Sequence, residues 1–156
     1  MKITFLVIGK TEDDYLKQGI DKYIKRLKHY TKLEIIELAE LKNTKALSQD
    51  QQKAKEAELL FKKINPHDHV ILLDERGAEF SSIQFANYID KRGHAGADLI
   101  FIVGGPYGFD QTVYNRANDK LSLSRMTFSH QMIRLFFVEQ LYRAYTILKG
   151  EPYHHE

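Results

Sequence analysis

The chain has no cysteine, no tryptophan, only three prolines, and no apolar run approaching the length that crosses a membrane. Without cysteine there is no disulfide framework, no thiolate metal site and no cysteine nucleophile. The opening Met1-Lys-Ile-Thr-Phe-Leu-Val-Ile-Gly9 is too short for a secretion signal and carries no small-residue cleavage site, so a cytoplasmic protein is expected. A strong excess of one charge is also missing. Lys and Arg number 23 against 21 Asp and Glu, and the resulting +2 does not by itself suggest nucleic acid. What is present is enough apolar matter, 43% of 156 residues, for a domain with a proper core. No repeat or linker interrupts it, so residues 1–156 are read as one domain.

Apolar runs and helical periods alternate along the chain. Ile3–Ile8 reads as a buried strand, and Asp13–Tyr30 as an amphipathic helix capped by Thr11, with Tyr15, Leu16, Ile20, Tyr23, Ile24 and Leu27 inward. Lys32–Leu38 is a second strand, and Lys42–Lys45 a mobile loop. Ser48 opens a helix over Gln49–Ile64, on which Glu56 and Glu58 are expected to be solvated among lysines. Val70–Leu73 is a third strand, closed by a turn at Asp74-Glu-Arg-Gly77. Ser81 caps a helix over Ser82–Arg92. Leu99–Val103 is a continuous apolar strand ending in Gly104-Gly105-Pro106, and Thr112–Asn118 a short helix. Leu121–Met126 is a fifth strand, and His130–Lys149 a long last helix. The alternation predicts an α/β fold with a mainly parallel sheet flanked by helices. The last helix has almost no polar face. A chain of this size has too little sheet to cover both sides of it, which predicts a homodimer through that helix.

Ligands of open α/β sheets bind beyond the carboxyl ends of the strands, so a cofactor is expected between the glycine turn and the segment after Leu121. The turn Gly104-Gly105-Pro106-Tyr107-Gly108 is neither a dinucleotide fingerprint nor a phosphate loop. Hydrolase chemistry lacks a nucleophile elbow. His67 and His69 have no evident third ligand, and no metal is expected. Asp13 and Asp14 read first as charges favourable at a helix N-terminus. The basic cluster Lys17, Lys22, Lys25, Arg26, Lys28 and Lys32 reads first as a solvated helix face. Tyr142, Arg143, Tyr153, His154 and His155 combine aromatic, arginine and histidine groups, which could stack a base and hold phosphate. A frayed tail with an Arg143–Glu139 pair accounts for the same composition.

Several segments together carry a resemblance. They are Val103-Gly-Gly-Pro-Tyr-Gly108, Leu121-Ser-Leu-Ser-Arg-Met-Thr-Phe128, His130-Gln-Met-Ile-Arg134, Glu139-Gln-Leu-Tyr-Arg-Ala144 and Pro152-Tyr-His154. In order and spacing they resemble the ribosomal large-subunit methyltransferase H family of bacterial SPOUT-class enzymes, over the whole chain from Met1-Lys-Ile-Thr onward. The resemblance implies a SPOUT-type α/β knot, in which the C-terminal segment forms a trefoil, and a homodimer. It implies S-adenosylmethionine as cofactor and methylation of N3 of a pseudouridine in helix 69 of 23S rRNA, on assembled ribosomes.

Carried onto this sequence, the cofactor positions are Leu73, Gly105, Ser124, Arg125, Met126, Thr127, Phe128 and Ser129. Leu73 and Met126 would give apolar walls. Tyr142, Arg143, Tyr153, His154 and His155 fall on the RNA side, with His154 the hypothesised base, from either protomer, and Arg143 the stabiliser of the substrate anion. Two positions depart from the family pattern. Ser129 stands where many relatives have proline, which is expected to loosen the loop, and His155 stands where Arg or Lys is usual. A non-catalytic ribosome-associated factor with the same fold is the alternative function. A flavodoxin-like signalling domain using Asp13 and Asp14 is a third reading.

Overall fold

The computed structural model describes residues 1–155. Its elements are β1 (Lys2–Ile8), α1 (Asp14–Leu27), β2 (Lys32–Leu38), α2 (Gln49–Phe61), β3 (His69–Glu79), α3 (Ser82–Ala95), β4 (Leu99–Val103), α4 (Gln111–Arg116), β5 (Asp119–Ser122) and α5 (Met132–Leu148). The strands pair in the order β2-β1-β4-β3-β5, and every pairing is parallel. The α/β fold with a parallel sheet is therefore as expected. Among the described residues no helix is long and apolar enough to cross a membrane.

Strand periodicity explains the layers. Ile3, Phe5, Val7, Ile71, Leu73, Phe101 and Val103 point to one face of the sheet, where α1, α3 and α5 pack. Leu6, Ile8, Val70, Leu72, Ile100 and Ile102 point to the other, against α2 and α4. Helices on both faces leave the central strands with no polar side, which is why β4 is buried at every residue. Phe137 of α5 is wedged over the sheet, its ring 4.4 Å from that of Phe5 and 4.7 Å from that of Phe101.

Local chemistry sets most boundaries. Ser48 and Ser81 each accept from the backbone N–H three residues on, and Gln51 and Gln84 return the bond to the backbone of their serine. Gly96, at φ 81°, ends α3 in the left-handed conformation. Lys42–Lys45 is not simply an open loop, since a turn of 3-10 helix runs over Thr44–Ala46.

Four readings of the sequence need correction. Thr11 does not cap α1. Asp13 stands at that position, and the Thr11 hydroxyl accepts from Arg134 Nη1 at 3.1 Å. Tyr15 faces outward and is exposed rather than packed inward. The segment Asp74–Gly77 is not a terminal turn but a bulge inside β3, since Leu73 and Ala78 both oppose Leu121 of β5 and the strand then resumes. A Cβ on Gly77 would lie 2.6 Å from the Lys120 backbone carbon, so only glycine lets the two strands approach there. Finally, β5 begins two residues earlier than expected and ends at Ser122, leaving residues 123–131 as loop and turn.

The subunit itself covers part of α5. Phe137, Val138, Leu141 and Ala144 face the sheet. Leu135 lies against Gly19 of α1, Tyr142 against Tyr23, and Gln140 accepts from the Ser82 hydroxyl of α3 at 3.1 Å. Its neighbours α1 and α3 thus cover part of its flanks, while Met132, Ile133, Leu135, Tyr142, Tyr145, Ile147 and Leu148 stay half-buried and Phe136 is 42% exposed, which leaves apolar surface on α5.

Arg134, on the first turn of α5, is 2% exposed. Its guanidinium donates to the carbonyls of Ile8, Gly9 and His130 at 2.9, 2.9 and 3.0 Å, and Glu37 stands 3.7 Å away. Burial lowers its pKa, opposed by the charges of Glu37, Glu12 and Glu40. This clamp fixes the start of α5 over the end of β1, beside the loop that precedes it.

Candidate active site

The carboxyl ends of β3, β4 and β5 open into a cleft of about 730 Å³, within the usual range for a small-molecule site. Leu73, Val103 and Leu121, the residues where these strands meet the opening, contribute apolar surface. Three irregular segments form the walls: the β3 bulge, the glycine turn, and the loop between β5 and α5.

The glycine turn closes on itself, with the Gly108 N–H donating to the Gly105 carbonyl at 3.1 Å. Gly108, at φ 84°, takes the left-handed conformation. Behind the turn, a Cβ on Gly104 would come within 3.2 Å of the Phe109 ring. Phe109 meets the Tyr114 ring edge-on at 5.6 Å, and the Tyr114 hydroxyl donates to Asp74 at 2.7 Å. That bond ties α4 to the bulge. Burial, together with the Asp74 carboxylate, pushes the Tyr114 hydroxyl up to about 12, so it stays a donor at neutral pH.

The loop after β5 is held by its own hydroxyls. The Ser122 hydroxyl donates to the Ser124 carbonyl at 2.8 Å, and the Ser124 hydroxyl accepts from the Met126 N–H at 3.0 Å. The Thr127 hydroxyl donates to Glu75 of the bulge. The Ser129 hydroxyl accepts from the Met132 N–H at 3.0 Å and its carbonyl from the Ile133 N–H at 3.0 Å. Ser129 therefore ties the loop to the start of α5, where loosening had been expected. The Phe128 and Phe136 rings stack at 4.8 Å.

The comparisons with known proteins agree with this geometry. The model of the family described as "Predicted SPOUT methyltransferase" matches residues 1–154. A protein of Parabacteroides distasonis named "Ribosomal RNA large subunit methyltransferase H" is 54% identical, covering 100% of both chains. One of the same name from Cytophaga hutchinsonii is 56% identical over 99% of this chain and 100% of its own. The chain belongs to this methyltransferase family. In fold it is also similar to a solved Haemophilus influenzae structure described as a probable methylase family protein. That likeness has a TM-score of 0.53 at 12% identity, covering 99% of this chain and 70% of the other.

Of the cofactor positions carried over from the methyltransferase H family, Leu73, Gly105, Ser124, Met126, Thr127, Phe128 and Ser129 all line the cleft. Arg125 does not. It points to solvent, 85% exposed, with Glu79 at 3.6 Å. Met126 lines the cleft while remaining 78% exposed, so as an apolar wall it is open on one side. Sequence reasoning missed Lys53, Arg76, Tyr107, His130 and Ile133, which also line the cleft. The bulge that brings Arg76 there carried a signal only in Gly77.

The C-terminal residues form a separate cluster. Arg143 donates to Glu139 at 2.6 Å and to His154 Nδ1 at 3.1 Å, and its guanidinium lies 4.7 Å from the centre of the Tyr153 ring. Tyr153 donates to Glu139 at 3.0 Å and packs edge-on against Tyr142 at 4.7 Å. Burial, with Tyr23 and Glu139 as partners, raises the Tyr153 pKa. The tail is therefore packed on α5 through Tyr153 and His154 rather than frayed, and it includes the Arg143–Glu139 pair. His155 is exposed. None of these five residues lines the cleft. Arg143 lies ten residues along α5 from Ile133, about 15 Å at the helical rise. Within one subunit these five residues and the cleft are apart.

Proposed function

We propose that this protein methylates 23S rRNA, transferring the methyl group of S-adenosylmethionine to N3 of a pseudouridine in helix 69 of the assembled ribosome. The observation that carries the reading is the cleft, which gathers the family's cofactor positions at the strand ends where a parallel sheet binds ligands. The names of the full-length relatives support ribosomal RNA as the substrate. The cleft suits a nucleoside-sized group, with its apolar strand ends, backbone turns and aromatic side chains at Tyr107, Phe109, Tyr114 and Phe128. The bound cofactor would supply an already electrophilic methyl group.

The chain's own contribution is to hold and orient. Leu73 and the Gly104–Gly108 turn would grip one side of the cofactor, and residues 124–129 the other, so that positioning supplies much of the rate. The remaining task is to handle the proton and charge of the target imide. Because the cleft and the Arg143–His154 cluster are apart in one subunit, the partner protomer of a homodimer would bring this cluster to the cleft. Arg143 can only donate, so His154 Nδ1 accepts and the neutral ring carries its proton on Nε2. As packed, Arg143 offers donors for the developing substrate anion. His154 would serve as the base only on leaving Arg143. The knot implied by the resemblance is part of the same reading.

Single-turnover transfer of a labelled methyl group to unmodified ribosomes tests the proposal. The expected result is one methyl group per ribosome at the helix 69 pseudouridine and little transfer to naked RNA, since +2 per chain neutralises few phosphates. No transfer to ribosomes would refute it. Arg143→Ala and His154→Ala should each slow the step about 100-fold, with cofactor affinity unchanged. A His154→Ala rate equal to wild type would remove that residue from the mechanism.

A further inference from the structure

Glu56 was expected on the solvated face of α2, but it is 5% exposed. Among the described residues its Oε1 has no hydrogen-bond partner, and Oε2 receives only a long contact from Gln52 Nε2, 3.4 Å, on its own helix. A carboxyl group buried so poorly satisfied is costly and needs a reason for its place. Burial raises its pKa, opposed only by the Gln52 bond, so the neutral form is favoured relative to a free carboxyl.

The reason lies on the other side of the contact. A Cβ built on Gly105 would sit 2.5 Å from Glu56 Oε2 and 2.6 Å from Oε1. Gly105 is not among the residues of positive φ, so its backbone conformation does not demand glycine. The carboxyl group occupies the space that a side chain would need. Gly105 is therefore glycine in this chain because of what packs behind the turn, not only because of what binds in front of it.

We propose that Glu56 is a positioning residue of the methyltransferase, its carboxyl group setting where the Gly105 backbone stands at the edge of the cleft. This rests on reading that cleft as the cofactor site. Glu56 itself is enclosed behind the turn and touches no substrate.

Two measurements on the intact protein test it. The first is titration with S-adenosylmethionine. Glu56→Ala should weaken binding about tenfold by freeing the turn, while Glu56→Gln, which keeps the shape and a polar end, should bind within about threefold of wild type. The second is a cycle of urea midpoints read without cofactor. Gly105→Ala should destabilise the wild type, but much less in a Glu56→Ala or Glu56→Asp background, where the carboxyl group is removed or drawn back. Glu56→Asp keeps the cycle usable if Glu56→Ala fails to fold. Full additivity between positions 56 and 105 would overturn the proposal, as would a Glu56→Ala protein that binds like wild type. If the wild type bound no cofactor, the cofactor reading would fail, and the urea cycle would still decide whether Glu56 positions the turn.

Discussion

The two ends of strands β3 and β5 are built on opposite principles. At the amino ends, His69 and Tyr88 both approach Asp119 Oδ2 at 2.7 Å, and Arg92 Nη1 lies 3.3 Å from His69 Nδ1. Arg92 can only donate, so Nδ1 accepts and Nε2–H donates to Asp119. Asn118 and Val70 exchange two further bonds, at 2.8 and 2.9 Å. That end is sealed by side chains that bond to one another, with Arg92 Nε a buried atom without a hydrogen-bond partner among the described residues. At the carboxyl ends β3 breaks into a bulge and β5 gives way to a loop with Met126 78% exposed, beside the glycine turn that follows β4. One end closes the sheet, and the other leaves backbone and apolar surface for a ligand. Substitutions at the sealed end can therefore change stability without changing binding, whereas those at the open end are expected to change both.

The largest effect is expected where the open end is clamped to the rest of the fold. Arg134→Met keeps much of the volume but leaves the carbonyls of Ile8, Gly9 and His130 without their donor. It should cost about 3 kcal/mol in urea denaturation, from buried acceptors left unpaired. A cost near zero would mean the guanidinium does not hold α5. Next comes Gly77→Ala, whose new Cβ meets the β5 backbone at 2.6 Å. It should cost about 2 kcal/mol by overpacking and also weaken cofactor binding, because the bulge forms a wall of the cleft.

The smallest effect, and the sharpest for the comparison, is Asp119→Asn at the sealed end. It should cost about 1 kcal/mol and leave cofactor affinity unchanged. Burial alone would raise the Asp119 carboxyl. Hydrogen bonds from Tyr88 and His69, with the charge of Arg92, outweigh it and hold the group below its ordinary value. A depressed carboxylate contributes stability that is present above its unfolded pKa, about 4, and lost as pH falls through the lower folded value. Asp119→Asn should therefore flatten the acid limb of the stability curve below about pH 4. An unchanged limb would place acid sensitivity elsewhere.

The sealed and open ends were not equally legible in the sequence. The strands showed as apolar runs, and Ser48 and Ser81 marked their helices, because both signals are local. The glycine turn stood out as an irregular segment next to a strand, whereas Ser124, Arg125 and Met126 were read as strand and joined the cofactor positions only through the resemblance. The bulge did not, because Asp74-Glu-Arg-Gly77 has the composition of a turn and only pairing with β5 makes it strand. The start of β5 was missed for a related reason: Asp119 and Lys120 are polar, and on an edge strand a partner such as His69 replaces hydrophobicity as the signal. Glu56 and Arg134 were invisible because charged residues on helices are ordinarily solvated. Their burial depends on contacts with Gly105 and with the end of β1, each far away in sequence.

The central claim, that binding belongs to the open end and not to the sealed one, is tested most directly by following backbone amide resonances during titration with S-adenosylmethionine. The account predicts saturable shifts at Leu73, through Gly104–Gly108 apart from Pro106, and at residues 124–129, with the amides of His69, Tyr88, Arg92 and Asp119 unmoved. Shifts centred on the His69–Asp119 end, or none at the glycine turn under saturating cofactor, would contradict it.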